Sequence, residues 1–502
     1  MHSSHRQFGW YNLLVVLGIS LSSLSFGYSA AVIGTITGQP TFLEYFKLTG
    51  TSNGDELLGA CVCMYYVGGF FGSIYGAWAS DYWGRKNSQI QAAIIVAVSG
   101  ALQAGSVHVA MFIVGRFLCG IAGYMVLTGT PAWMAELVPP RQRGQLMDTH
   151  TVVLIAGYFA TAWVGYGFYF YSGSVPAFRP ILAIQCAPPV FFLAVVSFLP
   201  ESPRWLILRN QGDAAHRILR QLHSTEAAPG SLSLAEIEYQ QITRQIELER
   251  GLDTSFLGMW RSGWPNRKRI IFAVVWPFMT VGSGILVIAN YGPLLYSSLG
   301  YGSAKQLLFN GIWMSVTWFA NICAPFLIDR FPRPGYAATG LAGCFATLVA
   351  EAAIIKNIAA TGSDNRAGLE AGVAMFFIYA WFYGSCLDGM LFVWIGEAFP
   401  TPLRSNGYLI AMVTHALANT AWLGAAPTAF ATVGWQYYLP FIIISGLAMI
   451  IVFFFFPNTR HLALEEIGAI FGDADHVAVY QQDILDEGTH ELHIVSKDKG
   501  DE

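Results

Sequence analysis

Glu136-Leu137-Val138-Pro139-Pro140-Arg141-Gln142-Arg143 returns about 260 residues later as Glu397-Ala398-Phe399-Pro400-Thr401-Pro402-Leu403-Arg404. Both stretches place a proline three positions after the glutamate and an arginine seven positions after it. Two other pairs keep nearly the same offset. Asp81-Tyr82-Trp83-Gly84-Arg85 corresponds to Asp329-Arg330-Phe331-Pro332-Arg333, and Pro200-Glu201 corresponds to Pro457-Asn458. Three pairs, in the same order and at a near-constant offset, mark an internal repeat of about half the chain.

Each repeated motif follows an apolar run. A membrane helix needs about 20 apolar residues, and twelve such runs are read at 11–35, 57–79, 88–107, 110–133, 147–170, 180–199, 270–296, 305–328, 337–358, 371–396, 406–431 and 435–456. Bulk composition agrees: 54% of the 502 residues are hydrophobic and only 12% are charged, against about 25% charged in soluble domains. The run from Tyr11 is too long for a signal-peptide core, so it is read as the first membrane helix. The predicted class is an all-α integral membrane protein of twelve transmembrane helices, in two six-helix halves related by a pseudo-two-fold axis.

Basic residues fix the expected orientation. Twenty-one fall on the side of the termini and five on the other, with Arg116 inside a span. That bias predicts both termini in the cytoplasm. Residues 1–10 then form a cytoplasmic N-terminus, 11–200 the first half, 201–269 a polar cytoplasmic linker, 270–456 the second half and 457–502 a cytoplasmic tail. Within the linker, Leu234 to Glu249 reads as a surface amphipathic helix.

Several functions are disfavoured at this stage. A net charge of −4 gives no electrostatic footprint for nucleic acid. The seven cysteines all lie in apolar runs and read as inert core thiols. No metal-ligand cluster, phosphate loop or nucleophile with a base is recognisable, so neither a cofactor nor an enzyme activity is expected. The partner expected from composition is the lipid bilayer.

The motifs resemble those of the major facilitator superfamily. Gly72-x3-Gly76-x4-Asp81-x2-Gly84-Arg85-Lys86 matches its loop signature. Gly115-Arg116-Phe117-Leu118-x-Gly120, Pro200-Glu201-Ser202-Pro203-Arg204-Trp205-Leu206 and Leu464-Glu465-Glu466-Ile467 look like its sugar porter family, and Cys386-Leu387-Asp388-Gly389 like fungal members. The resemblance covers about residues 10–470. It implies parallel six-helix repeats, a solute site near the midplane between them, and alternating access. It also implies that Asp81, Arg85, Arg116, Glu136, Arg143, Glu201, Asp329, Arg330, Arg333, Glu397 and Arg404 are gating charges. The plainer alternative is that they anchor helix ends.

The departures from the family concern the solute. Ser29 follows Phe26-Gly27-Tyr28 where proton-coupled members carry Asp, and His150 and Thr151 replace an Asn-Gln pair. Thr280 to Leu286 has lost three amides, Phe392 replaces a Trp, and His415 replaces an Asn beside the retained Asn419. The remaining substrate-binding candidates are Ser29, Thr151, Asn290, Tyr291, Thr317, Asn419 and Trp422. Tyr28, Tyr158, Asn321, Trp163 and Trp394 stand behind them, and each alone is more often a helix-packing residue than a ligand contact.

Intramembrane carboxylates are functional suspects. Asp388 lies about 13 Å before Glu397 at 1.5 Å per residue, well inside its span, with a helix-break cap as its structural alternative; Glu351 is second. Asp388 and His150 are the coupling candidates. The expected function is transport of a sugar, polyol or sugar acid, by facilitated diffusion or with protons, in the plasma membrane. A less polar metabolite on the same fold, or a nutrient sensor that does not transport, are the alternatives.

Overall fold

The computed structural model describes residues 10–48, 53–138, 143–222, 233–249, 255–328, 330–359, 365–399, 403–459 and 470–471. The protein is all-α. The first half comprises α1 (Trp10–Ile36), α2 (Gly54–Trp83), α3 (Arg85–Ala104), α4 (Val109–Leu137), α5 (Arg143–Tyr169) and α6 (Phe178–Ile184 continued by Ala187–Val196). The second comprises α7 (Trp264–Val281 and Ile285–Ser298), α8 (Ser303–Leu327), α9 (Arg333–Ile354), α10 (Arg366–Tyr383, Gly384–Asp388 and Gly389–Ala398), α11 (Arg404–Thr432) and α12 (Tyr438–Phe455).

Eleven of these are long and apolar enough to cross a membrane by composition alone. The other is α3. Its 20 residues begin with Arg85 and Lys86 and include Gln89, Gln91 and Gln103. Those polar groups face neighbouring helices of the same half: Gln103 Nε2 donates to the Gly115 carbonyl and Gln89 Nε2 to the Met125 carbonyl of α4, and Gln91 accepts from the Tyr75 hydroxyl of α2. The polarity is thus spent inside the half rather than against lipid.

Small residues set how closely the helices approach. On α2, Gly68, Gly72 and Gly76 recur every fourth position, and a Cβ on the first two would strike the carbonyls of Phe117 and Ile121 on α4. This is close backbone packing of the small-xxx-small kind. Between the halves, α2 runs along α11, α5 along α8, and α1 against the second segment of α7.

Two membrane helices are broken. Gly282-Ser283-Gly284 divides α7, with Gly284 at φ +91°, a conformation glycine adopts without a steric penalty. The second segment is kinked again at Tyr291, before Pro293. In α10 the residues Gly384–Asp388 form a π-helical turn, a distortion that recurs at functional sites.

The linker folds back on the first half. Short helices at Pro203–Leu208, Gly212–Leu222, Leu234–Glu249 and Phe256–Arg261 lie outside the bundle, so the amphipathic segment read from the sequence is helical. Trp205 Nε1 donates to the Asp81 carbonyl at 2.9 Å and Arg209 Nη2 to the Tyr82 carbonyl at 2.7 Å. Asn12 Nδ2 of α1 donates to the Leu222 carbonyl at 3.0 Å.

Candidate functional site

The repeated motifs meet at the linker-side ends of the helices. Arg85 Nη2 and Nε donate to the two carboxylate oxygens of Glu136 at 2.9 and 3.0 Å, and Arg85 Nη1 donates to Asp81 at 2.8 Å. Glu201 accepts from the backbone N–H of Arg85 (3.0 Å) and of Lys86 (3.2 Å), at the N-terminus of α3. Carboxylates favour such a terminus because its N–H groups are unpaired and the helix dipole is positive there. In the second half Arg333 Nη2 donates to Glu397 at 2.6 Å, and Thr459 Oγ1 donates to the other Glu397 oxygen at 2.7 Å. Positions matched by the sequence repeat therefore carry the same ion pair, Arg85–Glu136 and Arg333–Glu397, and each pair closes within its own half.

The other charges divide. Arg330 is exposed and Arg404 is buried at the start of α11. Arg143 opens α5, but its side chain and all of Asp329 lie outside the described residues. Arg116 belongs to no end cluster. It is fully buried in α4, where Nη1 donates to the Ser29 carbonyl (2.8 Å) and Nε to the Cys61 carbonyl (3.3 Å), with its guanidinium 4.5 Å above the Tyr65 ring.

A cavity lies between the halves. From the first half it is lined by Phe26, Tyr66, Leu127, Leu154, Ile155 and Tyr158. From the second it is lined by Ile285, Leu286 and Ala289 of α7, Trp313, Met314 and Thr317 of α8, Tyr383, Asp388, Leu391 and Phe392 of α10, and His415 of α11. The α7 break and the α10 π-turn both border it. The π-turn delivers Asp388 to the wall, where its Oδ2 accepts from Asn321 Nδ2 of α8 at 3.1 Å. Two hydrogen bonds cross between the halves here: Tyr124 with His415 Nδ1 (2.8 Å), and Asn290 Nδ2 to the Tyr66 hydroxyl (3.2 Å).

Among the candidates read from the sequence, Thr317, Asp388 and Tyr158 line this cavity. Asn290, Asn321 and Asn419 stand directly behind it, bonded to Tyr66, Asp388 and the His415 carbonyl respectively. His150 also lies behind, bonded to Ser23 Oγ and edge-on to the Phe392 ring at 5.2 Å. The others are placed in helix packing. Ser29 Oγ donates to the Phe26 carbonyl, the Tyr28 hydroxyl to Ile181, and the Tyr291 hydroxyl to Leu423. Thr151 is buried, Trp163 bonds Ser315, Trp394 sits in an aromatic cluster with Trp276 and Phe272, and Trp422 packs on Phe441. His415, Tyr66, Tyr383 and the apolar pair Ile285 and Leu286 also border the cavity. Of these, His415 had a sequence signal, as an imidazole at an asparagine position, and so did Ile285 and Leu286, in the stretch that has lost three amides.

The model of the sugar (and other) transporter family matches residues 15–471. The MFS-type transporter criB of Aspergillus cristatus is 30% identical over 461 residues, covering 91% of this chain and 92% of that protein. The high-affinity glucose transporter of Kluyveromyces lactis is 25% identical, covering 92% and 86%. Among solved structures, the inward open conformation of the xylose transporter XylE from E. coli superposes with a TM-score of 0.73 at 23% identity, over 92% of this chain and 100% of that one, which shows a shared fold. These relatives are transporters rather than enzymes. With the bundle, the repeated ion pairs and the cavity between the halves, they establish that this multi-pass membrane protein belongs to the sugar (and other) transporter family and is a transporter of small solutes.

Proposed function

We propose that one small solute binds in the cavity between the halves and that rocking of the halves about it alternates access. The observation that carries this is the cavity itself, enclosed by side chains from both halves, with a carboxylate, Asp388, on a distorted helical turn of its wall. The family supports a sugar, polyol or sugar acid as the solute. The fold supports moving halves at 11–200 and 270–456, joined by a linker at 201–269. The excess of basic residues on the linker side supports a cytoplasmic linker and cytoplasmic termini, and the plasma membrane is the proposed location. The ion pairs Arg85–Glu136 and Arg333–Glu397 hold each half together at the inner gate as it moves. Asp388 carries the coupling proton.

A less polar metabolite is favoured by one specific observation: Ile285 and Leu286 face the cavity from α7, in the stretch where sugar porters keep amides. The deciding experiment is counterflow exchange by the reconstituted chain with labelled sugars, polyols, sugar acids and less polar ring compounds at two pH values. Exchange of at least one is expected. Exchange of none, by correctly folded protein, would favour a sensor that binds without transporting.

A further inference from the structure

Most polar side chains on the cavity wall already carry a partner within the protein, although behind the wall the side-chain oxygens of Asn290, Asn321 and Asn419 do not. Both ring nitrogens of His415 are engaged, by Tyr124 and by Asn419. The Tyr66 hydroxyl accepts from Asn290, the Thr317 hydroxyl donates to the Trp313 carbonyl at 2.9 Å, and Tyr383 bonds Thr280. Among the described residues, two oxygens on the wall have no hydrogen-bond partner within the protein. One is the Asp388 oxygen that Asn321 does not reach, and the other is the Tyr158 hydroxyl. They belong to different halves, α10 and α5, and the rest of the wall is mainly carbon from residues such as Leu154, Ile285, Leu286 and Phe392.

We propose that the solute is a largely hydrocarbon ring carrying two hydroxyl groups, one donating to Asp388 and the other bonding Tyr158. The inference rests on the reading of this cavity as the solute site. A ring with a hydroxyl on every carbon would bury most of them against carbon, where an unpaired hydroxyl is disfavoured. A diol satisfies both open ends and leaves no hydroxyl over. Because its two bonds reach opposite halves, the diol also holds the halves together around itself, as an occluded state requires.

The test compares two solutes on the same six-membered ring, cyclohexane-1,4-diol and myo-inositol, by titration into the purified full chain. Binding of the diol is expected to be at least about 100-fold tighter. Tyr158→Phe and Asp388→Asn should each weaken diol binding by about tenfold. Leu286→Asn, which adds an amide to the wall, should improve inositol binding. Each variant's ligand-free melting midpoint reports whether it folds. Inositol binding as tight as the diol, no binding of either, or unchanged diol binding in both Tyr158→Phe and Asp388→Asn would overturn the inference. Failure of the transport reading is separate: it shows as absence of exchange across the whole counterflow panel, whereas exchange of inositol in preference to the diol sinks only this proposal.

Discussion

The Tyr124 hydroxyl and His415 Nδ1 lie 2.8 Å apart, one on each half of the protein, at the cavity. Their rings are 5.9 Å apart and tilted, so the hydroxyl rather than ring stacking makes the contact. A bond that joins two moving bodies stabilises the conformation in which it forms. A double-mutant cycle of Tyr124→Phe and His415→Ala, read on the unfolding free energy, should return a coupling of about 0.5–3 kcal/mol. Additive single effects would mean that the bond contributes nothing to holding the halves.

Arg85 grips Glu136 through two parallel donors, and the pair is nearly sealed, at 9% and 15% side-chain exposure. A two-pronged contact requires the planar guanidinium fork, which lysine lacks. Removing Arg85 leaves the buried Glu136 carboxylate with only the Ser202 hydroxyl and the nearby Arg204 charge to offset it. Arg85→Ala should therefore destabilise the protein by about 3–5 kcal/mol, and Arg85→Lys should recover only part of that. Thermal unfolding of both variants checks it. Full rescue by lysine would show that the fork geometry is immaterial.

Gly84 connects α2 to α3 at φ +97°. A Cβ there would meet Glu201 Oε2 at 2.5 Å. Gly84→Ala therefore incurs two penalties at once, a left-handed backbone and displacement of the carboxylate from the α3 N-terminus. The backbone share alone is about 1–3 kcal/mol. Ala at Gly335, where a Cβ meets nothing within 4 Å, is the control and should leave the melting midpoint nearly unchanged.

Glu201 also gives a pH signature. Burial pushes its carboxyl above the ordinary glutamate value, and this outweighs the opposing pull of the backbone N–H groups of Ser202 and Lys86. The folded chain then binds the proton more tightly than the unfolded one. Its contribution to stability is fully present below the unfolded value and is lost as pH rises through the folded value. Glu201→Gln should flatten that part of the pH–stability curve. A contribution that instead grew with rising pH would show that the N–H bonds prevail over burial.

The halves were legible because repeated charges at helix ends stand out in an apolar sequence, and lipid leaves the backbone little choice but helix. The pairing Arg85–Glu136 and its counterpart Arg333–Glu397 were not legible as pairs: they connect residues 51 and 64 positions apart, and sequence spacing does not report which helix ends converge. Asp388 stood out because a carboxylate in mid-span has few neutral explanations. Ser29 illustrates the opposite case. Small hydroxyls inside a helix commonly bond a carbonyl one turn back, as Ser29 does to Phe26, so their polarity says little about the cavity. Rotation about the helix axis decides whether such a residue faces solute or neighbour, and the α7 break and α10 π-turn shift that rotation where a regular helix would predict otherwise.

The proposed coupling role of Asp388 decides whether transport is uphill. It sits on the cavity wall within a π-turn, held by one hydrogen bond from Asn321. No described arginine or lysine pairs with it, so a proton is the available partner for its charge inside the membrane. A group that gains and loses a proton at the solute site can tie solute movement to the proton gradient. Asparagine keeps the size and an acceptor oxygen but cannot cycle a proton. Asp388→Asn should therefore abolish accumulation of solute driven by an inward proton gradient while sparing exchange at equal concentrations, apart from any loss of affinity. Proteoliposomes with and without an imposed pH difference separate the two readouts. Uphill uptake that survives in Asp388→Asn would remove Asp388 from the coupling step and leave it as a solute contact alone.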